Sequence, residues 1–190
     1  MARVSLIEEQ NHPELAALIA QIRGGRGGRL LNIYKMLLHS PAIAMAWFEQ
    51  VSAVRWNTEL DGGLREIVII RIGMLNRVAY VINAHVPAFA LKEGLTLEQC
   101  HALSDWRDSA LFDAPQRAAL AYTDAMTRDI RVPDSIHAEL RGHFSERQIV
   151  ELTVLIGTYN MHTRVLQALE IDAEAPREKS DSSSRNHPTY

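Results

Sequence analysis

Leu64-Arg65-Glu66-Ile67-Val68-Ile69-Ile70-Arg71-Ile72-Gly73-Met74-Leu75 is the stretch on which the fold turns. It is apolar on nearly every side, and such a run reads equally as a buried strand or a buried helix by periodicity alone. Its length and the helical pattern on both flanks favour a central helix, opened after the break at Asp61-Gly62-Gly63. Downstream, Val78, Val81, Ile82, Val86 and Phe89 recur at helical spacings, which predicts a helix over Val78 to Leu91 with His85 on its apolar face.

Upstream, Leu30 to His39 and Ser40-Pro41 through Val54 read as two helices, the second with an N-cap serine and a proline at its first position. Asn11-His12-Pro13 opens another, carrying Leu15, Leu18, Ile19 and Ile22, which stops at Gly24-Gly25-Arg26-Gly27-Gly28. That loop reads as a connector or as an anion-binding turn. It follows a helix and lacks the Lys-Ser/Thr ending of a phosphate loop. Towards the C-terminus, Thr96 to Gln99 and Ser145 to Gln148 are capping boxes. Phe112-Asp113-Ala114-Pro115 starts a helix running to about Asp129, and Pro133-Asp134 a short one. The last helix carries Ile149, Leu152, Ile156, Tyr159, Leu166 and Leu169 as its stripe.

No segment alternates with a period of two between turn signals, so the fold class is all-α. One domain over residues 1–172 is expected, followed by a disordered tail over 173–190, rich in Ser, Pro and charge. With 190 residues, 47% hydrophobic and 23% charged, the chain can bury a core without disulfides, and its single cysteine, Cys100, excludes an intrachain disulfide framework. A net charge of -3 without long blocks of one sign gives no footprint for nucleic acid or an anionic membrane as partner. The start lacks the apolar run of a secretory signal, and no stretch reaches the ~20 apolar residues of a membrane span. A cytoplasmic protein is expected.

The run Leu64 to Arg77, continuing through His85-Val86-Pro87 and Lys92-Glu93-Gly94-Leu95-Thr96, is similar to the core of the carboxymuconolactone decarboxylase and alkylhydroperoxidase D (AhpD-like) superfamily. The likeness extends through Asn32-x-Tyr34, Phe112 to Arg128, Glu151-Leu152-Thr153 and Tyr159-Asn160-Met161. It implies an AhpD-like multi-helix bundle assembled as a homo-oligomer, commonly a trimer or hexamer, in which neighbouring subunits close the pocket. Trp47, Phe48, Trp56 and Trp106 would supply core or subunit contact.

In peroxidase members of that superfamily a glutamate precedes a Cys-x-x-Cys-x-x-x-His segment. Glu66 and His85 match the glutamate and the histidine, whereas the two cysteine positions hold Val78 and Val81. Valine has no redox chemistry and Cys100 lies outside the motif with no neighbour to resolve it, so the peroxidase mechanism is not available. Some cysteine-free relatives carry a Tyr-Glu pair ahead of the histidine. Here Tyr80 is kept and the glutamate position is Val81.

A glutamate and a histidine in an apolar pocket form a proton-transfer pair, the carboxylate pKa being raised by burial while the carboxylate steadies the imidazolium. The resemblance therefore implies a cofactor-free lyase or isomerase working on a small organic acid, lactone or secondary-metabolite intermediate by decarboxylation, double-bond migration or cyclisation. His85, Glu66 and Tyr80 are its catalytic candidates, and Asn83, His162, Arg71, Val78 and Val81 its substrate-binding candidates. Arg164 is a second cation that could face a substrate carboxylate.

Each has a plainer alternative. His85 could be a hydrogen-bonded core histidine, Glu66 an exposed first-turn glutamate, Tyr80 a cap on the core, and each arginine half of an ion pair. The other histidines have no metal-ligand spacing on one helix, so no metal is expected. Two other functional classes compete: a non-catalytic oligomeric ligand-binding protein, and a degenerate antioxidant protein working through Cys100.

Overall fold

Every regular element among the described residues, 2–174 of this computed structural model, is helical. The helices are α1 (Ala16–Gly24), α2 (Asn32–Leu37), α3 (Pro41–Trp56), α4 (Gly62–Leu75), α5 (Ala79–His85), α6 (Leu97–Ala102), α7 (Ala114–Arg128), α8 (Asp134–Arg141) and α9 (Glu146–Ala168). The all-α expectation holds. None of these helices is long and apolar enough to cross a membrane.

The central run is a helix because it is enclosed on all sides. The Asp61 carboxylate caps α4 by accepting from the Leu64 N–H at 2.9 Å, and α4 then packs against α5, α7 and α9. Leu64, Val68, Ile69 and Ile72 enter a large core shared with α1, α3 and α9, whereas Ile67 and Ile70 point the other way, into a smaller one with Leu95, Cys100, Leu103 and Trp106. A helix sandwiched between two cores needs apolar residues around its whole circumference. At ~25 cal/mol per Å2, each such side chain contributes about 1.5–3 kcal/mol.

Capping boxes form at Thr96, Asp113 and Ser145. Ser40 precedes α3 as expected, but its side chain makes no capping bond, leaving Pro41 to start the helix. The helix expected over Val78 to Leu91 ends at His85 and continues as one π-helical turn, Val86–Ala90. Pro87 has no N–H to give to the preceding turn, and the wider turn accommodates it.

At the boundary expected between domain and tail, Asp172 and Glu174 are hydrogen-bonded to the start of α2. The Asn32 side chain donates to the Asp172 carbonyl at 3.0 Å and its backbone N–H donates to the Glu174 carboxylate at 3.0 Å. The rest of that tail, 175–190, lies outside the described residues.

Candidate active site

Glu66 leaves α4 towards α5 and meets His85, the last residue of that helix, whose Nδ1 lies 2.6 Å from the Glu66 carboxylate. Glu66 is 0% exposed and His85 6% exposed, so the exposed first-turn glutamate is ruled out. Phe89 and Tyr159 hold the imidazole in place, their ring centroids 5.2 and 5.5 Å from it. Because an ionised carboxylate can only accept, Nδ1 carries the proton and Nε2 keeps its lone pair. Nε2 faces the Tyr159 hydroxyl at 3.5 Å, too far for a firm bond.

The electrostatics reverse the sequence expectation of a raised carboxyl pKa. Burial does push the Glu66 carboxyl up, but the hydrogen bond and charge of His85, with Arg55 and Arg65, outweigh it and hold the group below its ordinary value. The guanidiniums stand 3.7 and 3.6 Å from the second carboxylate oxygen. Burial lowers the His85 pKa, Glu66 opposes it, and Arg55 and Arg65 add to the lowering. The resting pair is therefore a carboxylate and a neutral imidazole rather than an imidazolium. Its free Nε2 can take a proton, and Glu66 can then stabilise the cation that results.

A cavity of about 630 Å3 lies against this pair. His85, Tyr80, Val81, Asn83 and His162 line it, which brings together five of the residues singled out from sequence. His162 stacks near Trp47 and Tyr159, its Nδ1 buried without a hydrogen-bond partner. Burial, followed by the charges of His85, Arg55 and Arg26, pushes its pKa down to about 3. Tyr80 donates to the Glu174 carboxylate, which also lines the cavity.

Three candidates lie elsewhere. Val78 is buried in the main core at the N-cap of α5, because the α4–α5 turn points it inward. Arg71 faces α7 and donates to both oxygens of Asp124 at 2.7 and 2.8 Å and to the Leu103 carbonyl at 2.7 Å, so it holds helices together instead of binding substrate. Arg164 is exposed and bonds to Asn160 one turn back. Cys100 is 1% exposed in the smaller core, and burial there raises its thiol pKa, so it offers no thiolate to the cavity.

Three arginines on the cavity wall, Arg26, Arg29 and Arg55, were not among the substrate-binding candidates, although the loop holding Arg26 reads as a possible anion-binding turn. Arg55 is 7% exposed and lies over the rings of Trp56 and Phe89, 4.5 and 4.1 Å from their centroids. Arg26 donates to the Tyr34 hydroxyl at 3.0 and 2.7 Å, and Arg29 stands beside it in the lining. The glycine-arginine loop was the available signal for the last two, since its spacing of cations favours an anion. Arg55 gave none, lying just beyond the helix end expected at Val54.

A model of the carboxymuconolactone decarboxylase family matches residues 41–125, from α3 into α7. The chain is 30% identical over 148 residues to the uncharacterized protein YnjA of Escherichia coli strain K12, covering 77% of this chain and 76% of that one. Among solved structures, protein ATU0492 of Agrobacterium tumefaciens, of unknown function and described with the antioxidant defence protein AhpD, is 26% identical with a TM-score of 0.69, covering 74% of this chain and 96% of that one. The debrominase Bmp8, solved in complex with 2,3,4-tribromopyrrole, has the same fold, with a TM-score of 0.74 at 16% identity over 92% and 95% of the two chains. The matched region contains both Glu66 and His85, and the chain belongs to the carboxymuconolactone decarboxylase family.

Proposed function

We propose that this protein is a lyase or isomerase that moves a proton on a small organic acid, lactone or related ring compound, with His85 as the acid–base group and Glu66 as its orienting partner. The observation that carries this reading is the 2.6 Å contact between Glu66 and His85, buried at the wall of a 630 Å3 cavity. Nε2 withdraws a proton from an acidified C–H. Glu66 stabilises the imidazolium, and the same proton returns to a neighbouring carbon; in a decarboxylation the carboxylate leaves as CO2 and the electron pair it leaves behind takes a proton that the imidazolium has gained from solvent. The Tyr159 hydroxyl, its pKa pushed up to about 12 by burial, stays protonated and can donate to the oxygen on which charge develops. Bmp8 holds a small ring in the same fold, which supports a ring-sized ligand.

The substrate-binding roles go to Asn83, His162 and Val81 on the cavity wall. We assign Tyr80 to binding as well, because its hydroxyl is engaged by Glu174 and burial keeps it protonated. Subunits associate through the exposed apolar positions Val150, Val154 and Met161, which with Gly157 between them form one stripe on α9.

The test is proton exchange in deuterium oxide, followed by NMR, on a panel of small unsaturated lactone acids and cyclic ketones. The intact protein is expected to place deuterium at the acidic carbon of at least one of them. His85→Gln should lose this by at least a hundredfold and Glu66→Gln by tenfold or more. Binding of panel members without exchange would favour the ligand-binding reading, which Val81, facing the cavity without a reactive group, supports.

A further inference from the structure

Proton transfer by Glu66 and His85 does not explain the charge at the other end of the cavity. There the Glu174 carboxylate accepts from the Tyr80 hydroxyl and from the Asn32 N–H at 3.0 Å. The preceding segment is pinned by the bond from the Asn32 side chain to the Asp172 carbonyl. Arg29 lines the same cavity, its charge acts on Tyr80, and its guanidinium makes no hydrogen bond or ion pair among the described residues. Arg26, by contrast, is tied to Tyr34, and Arg55 is stacked on Trp56 and Phe89 and shares Glu66. A hydroxyl donor and an N–H donor thus meet where the chain has laid one of its own carboxylates, with an uncommitted guanidinium in the same cavity lining.

We propose that Tyr80, the Asn32 N–H and Arg29 form a carboxylate-binding subsite, that Glu174 is its resident occupant, and that a carboxylate-bearing substrate displaces it. The exchange replaces one carboxylate by another, so the Tyr80 and Asn32 donors stay satisfied whichever is bound, and Arg29, unpaired among the described residues while Glu174 is in place, favours the incoming carboxylate. Residues 171–174 belong to no helix or strand, so Glu174 can leave without disturbing one.

This subsite rests on the acid–base reading for one further point. Tyr80 and His85 lie at opposite ends of α5, about 7.5 Å apart along its axis at the ordinary helical rise. A carboxylate bound at Tyr80 is therefore an anchor, separated by the body of the molecule from the atom that faces Nε2. It is not the group that departs. The ligand class is an organic acid with a ring or unsaturated body between its carboxylate and its reacting carbon, and Val81, Ala84 and Phe89 supply the apolar wall for that body.

The experiment is calorimetric titration of the full chain at pH 7 with benzoate as the charged probe and benzamide as its uncharged counterpart. Glu174→Ala should bind benzoate at least tenfold more tightly than the unsubstituted protein, with benzamide changed by less than twofold. Adding Arg29→Gln to Glu174→Ala should remove that gain. Benzoate binding that is unchanged, weaker or absent in Glu174→Ala overturns the subsite. So does an equal gain for benzamide, which would report only the space vacated, or a gain that survives Arg29→Gln. Because the readout is binding, it separates from the exchange assay. A protein that gains benzoate affinity as stated yet exchanges no proton keeps the subsite and loses the acid–base reading, and the opposite pair of results does the reverse.

Discussion

His85 and His162 sit on the same cavity and are both held neutral, for reasons that can be told apart. His85 has Glu66 to fix its tautomer, so its Nε2 is an oriented base. His162 has no partner at Nδ1 and is kept uncharged by burial and by neighbouring cations. The folded chain refuses a proton on His162 until about pH 3, whereas the unfolded chain accepts it near pH 6.5. Stability is thus fully present above pH 6.5 and falls as the pH drops from there towards 3, by about 1.4 kcal/mol per pH unit for this one group. Replacing His162 with Phe keeps a ring against Trp47 and Tyr159 and should remove about one proton's worth of slope from urea unfolding between pH 6.5 and 5. An unchanged slope would place the acid sensitivity elsewhere.

The helices α4 and α5 approach closely because Gly73 has no side chain. A Cβ there would lie 3.2 Å from Ile82 and 3.3 Å from Val81. Gly73→Ala should cost about 1–3 kcal/mol in chemical denaturation, as overpacking does, and shift the helix that carries His85. On the other side of α4, Asp124 takes Arg71 and also Arg107, the latter at 2.9 Å. Burial raises this carboxyl, but the bonds and charge of Arg71 outweigh it and hold its pKa low. Asp124→Asn leaves a buried guanidinium short of its counter-charge and should destabilise the fold by about 3–5 kcal/mol, read from the urea midpoint. The cavity should survive, since neither residue lines it.

For the whole molecule, exposed large apolar side chains occur singly at Leu97, Leu111 and Ile130, but on α9 they line up on one face. Val150 and Val154 are 61% and 41% exposed there, and Ile43 on the adjacent α3 is 55% exposed. A surface of this kind is covered by association more often than left in water. Under the association proposed above, the unsubstituted protein should run as an oligomer in light scattering behind size exclusion and Val154→Glu as a monomer, with helical content by circular dichroism unchanged. Retention of the parent mass would place the interface on another face.

Helical class and family were legible in the chain before folding, because apolar spacing, caps and the Glu66 and His85 positions are local signals carried by neighbouring residues. The sequence also pointed to residues that share one helix and one cavity, since His85, Tyr80, Val81 and Asn83 lie on α5 and line it. Periodicity could not tell an arginine that faces a pocket from one that clamps two helices. Arg71 and Arg55 are both buried, yet Asp124 claims the first while the second reaches the cavity wall. Nor could it show that Glu174, more than a hundred residues from Asn32, returns to the site. Those choices depend on which charges meet after the helices pack, and the lowered Glu66 pKa likewise comes from the His85 hydrogen bond and charge, with two guanidiniums added, all brought beside it by packing.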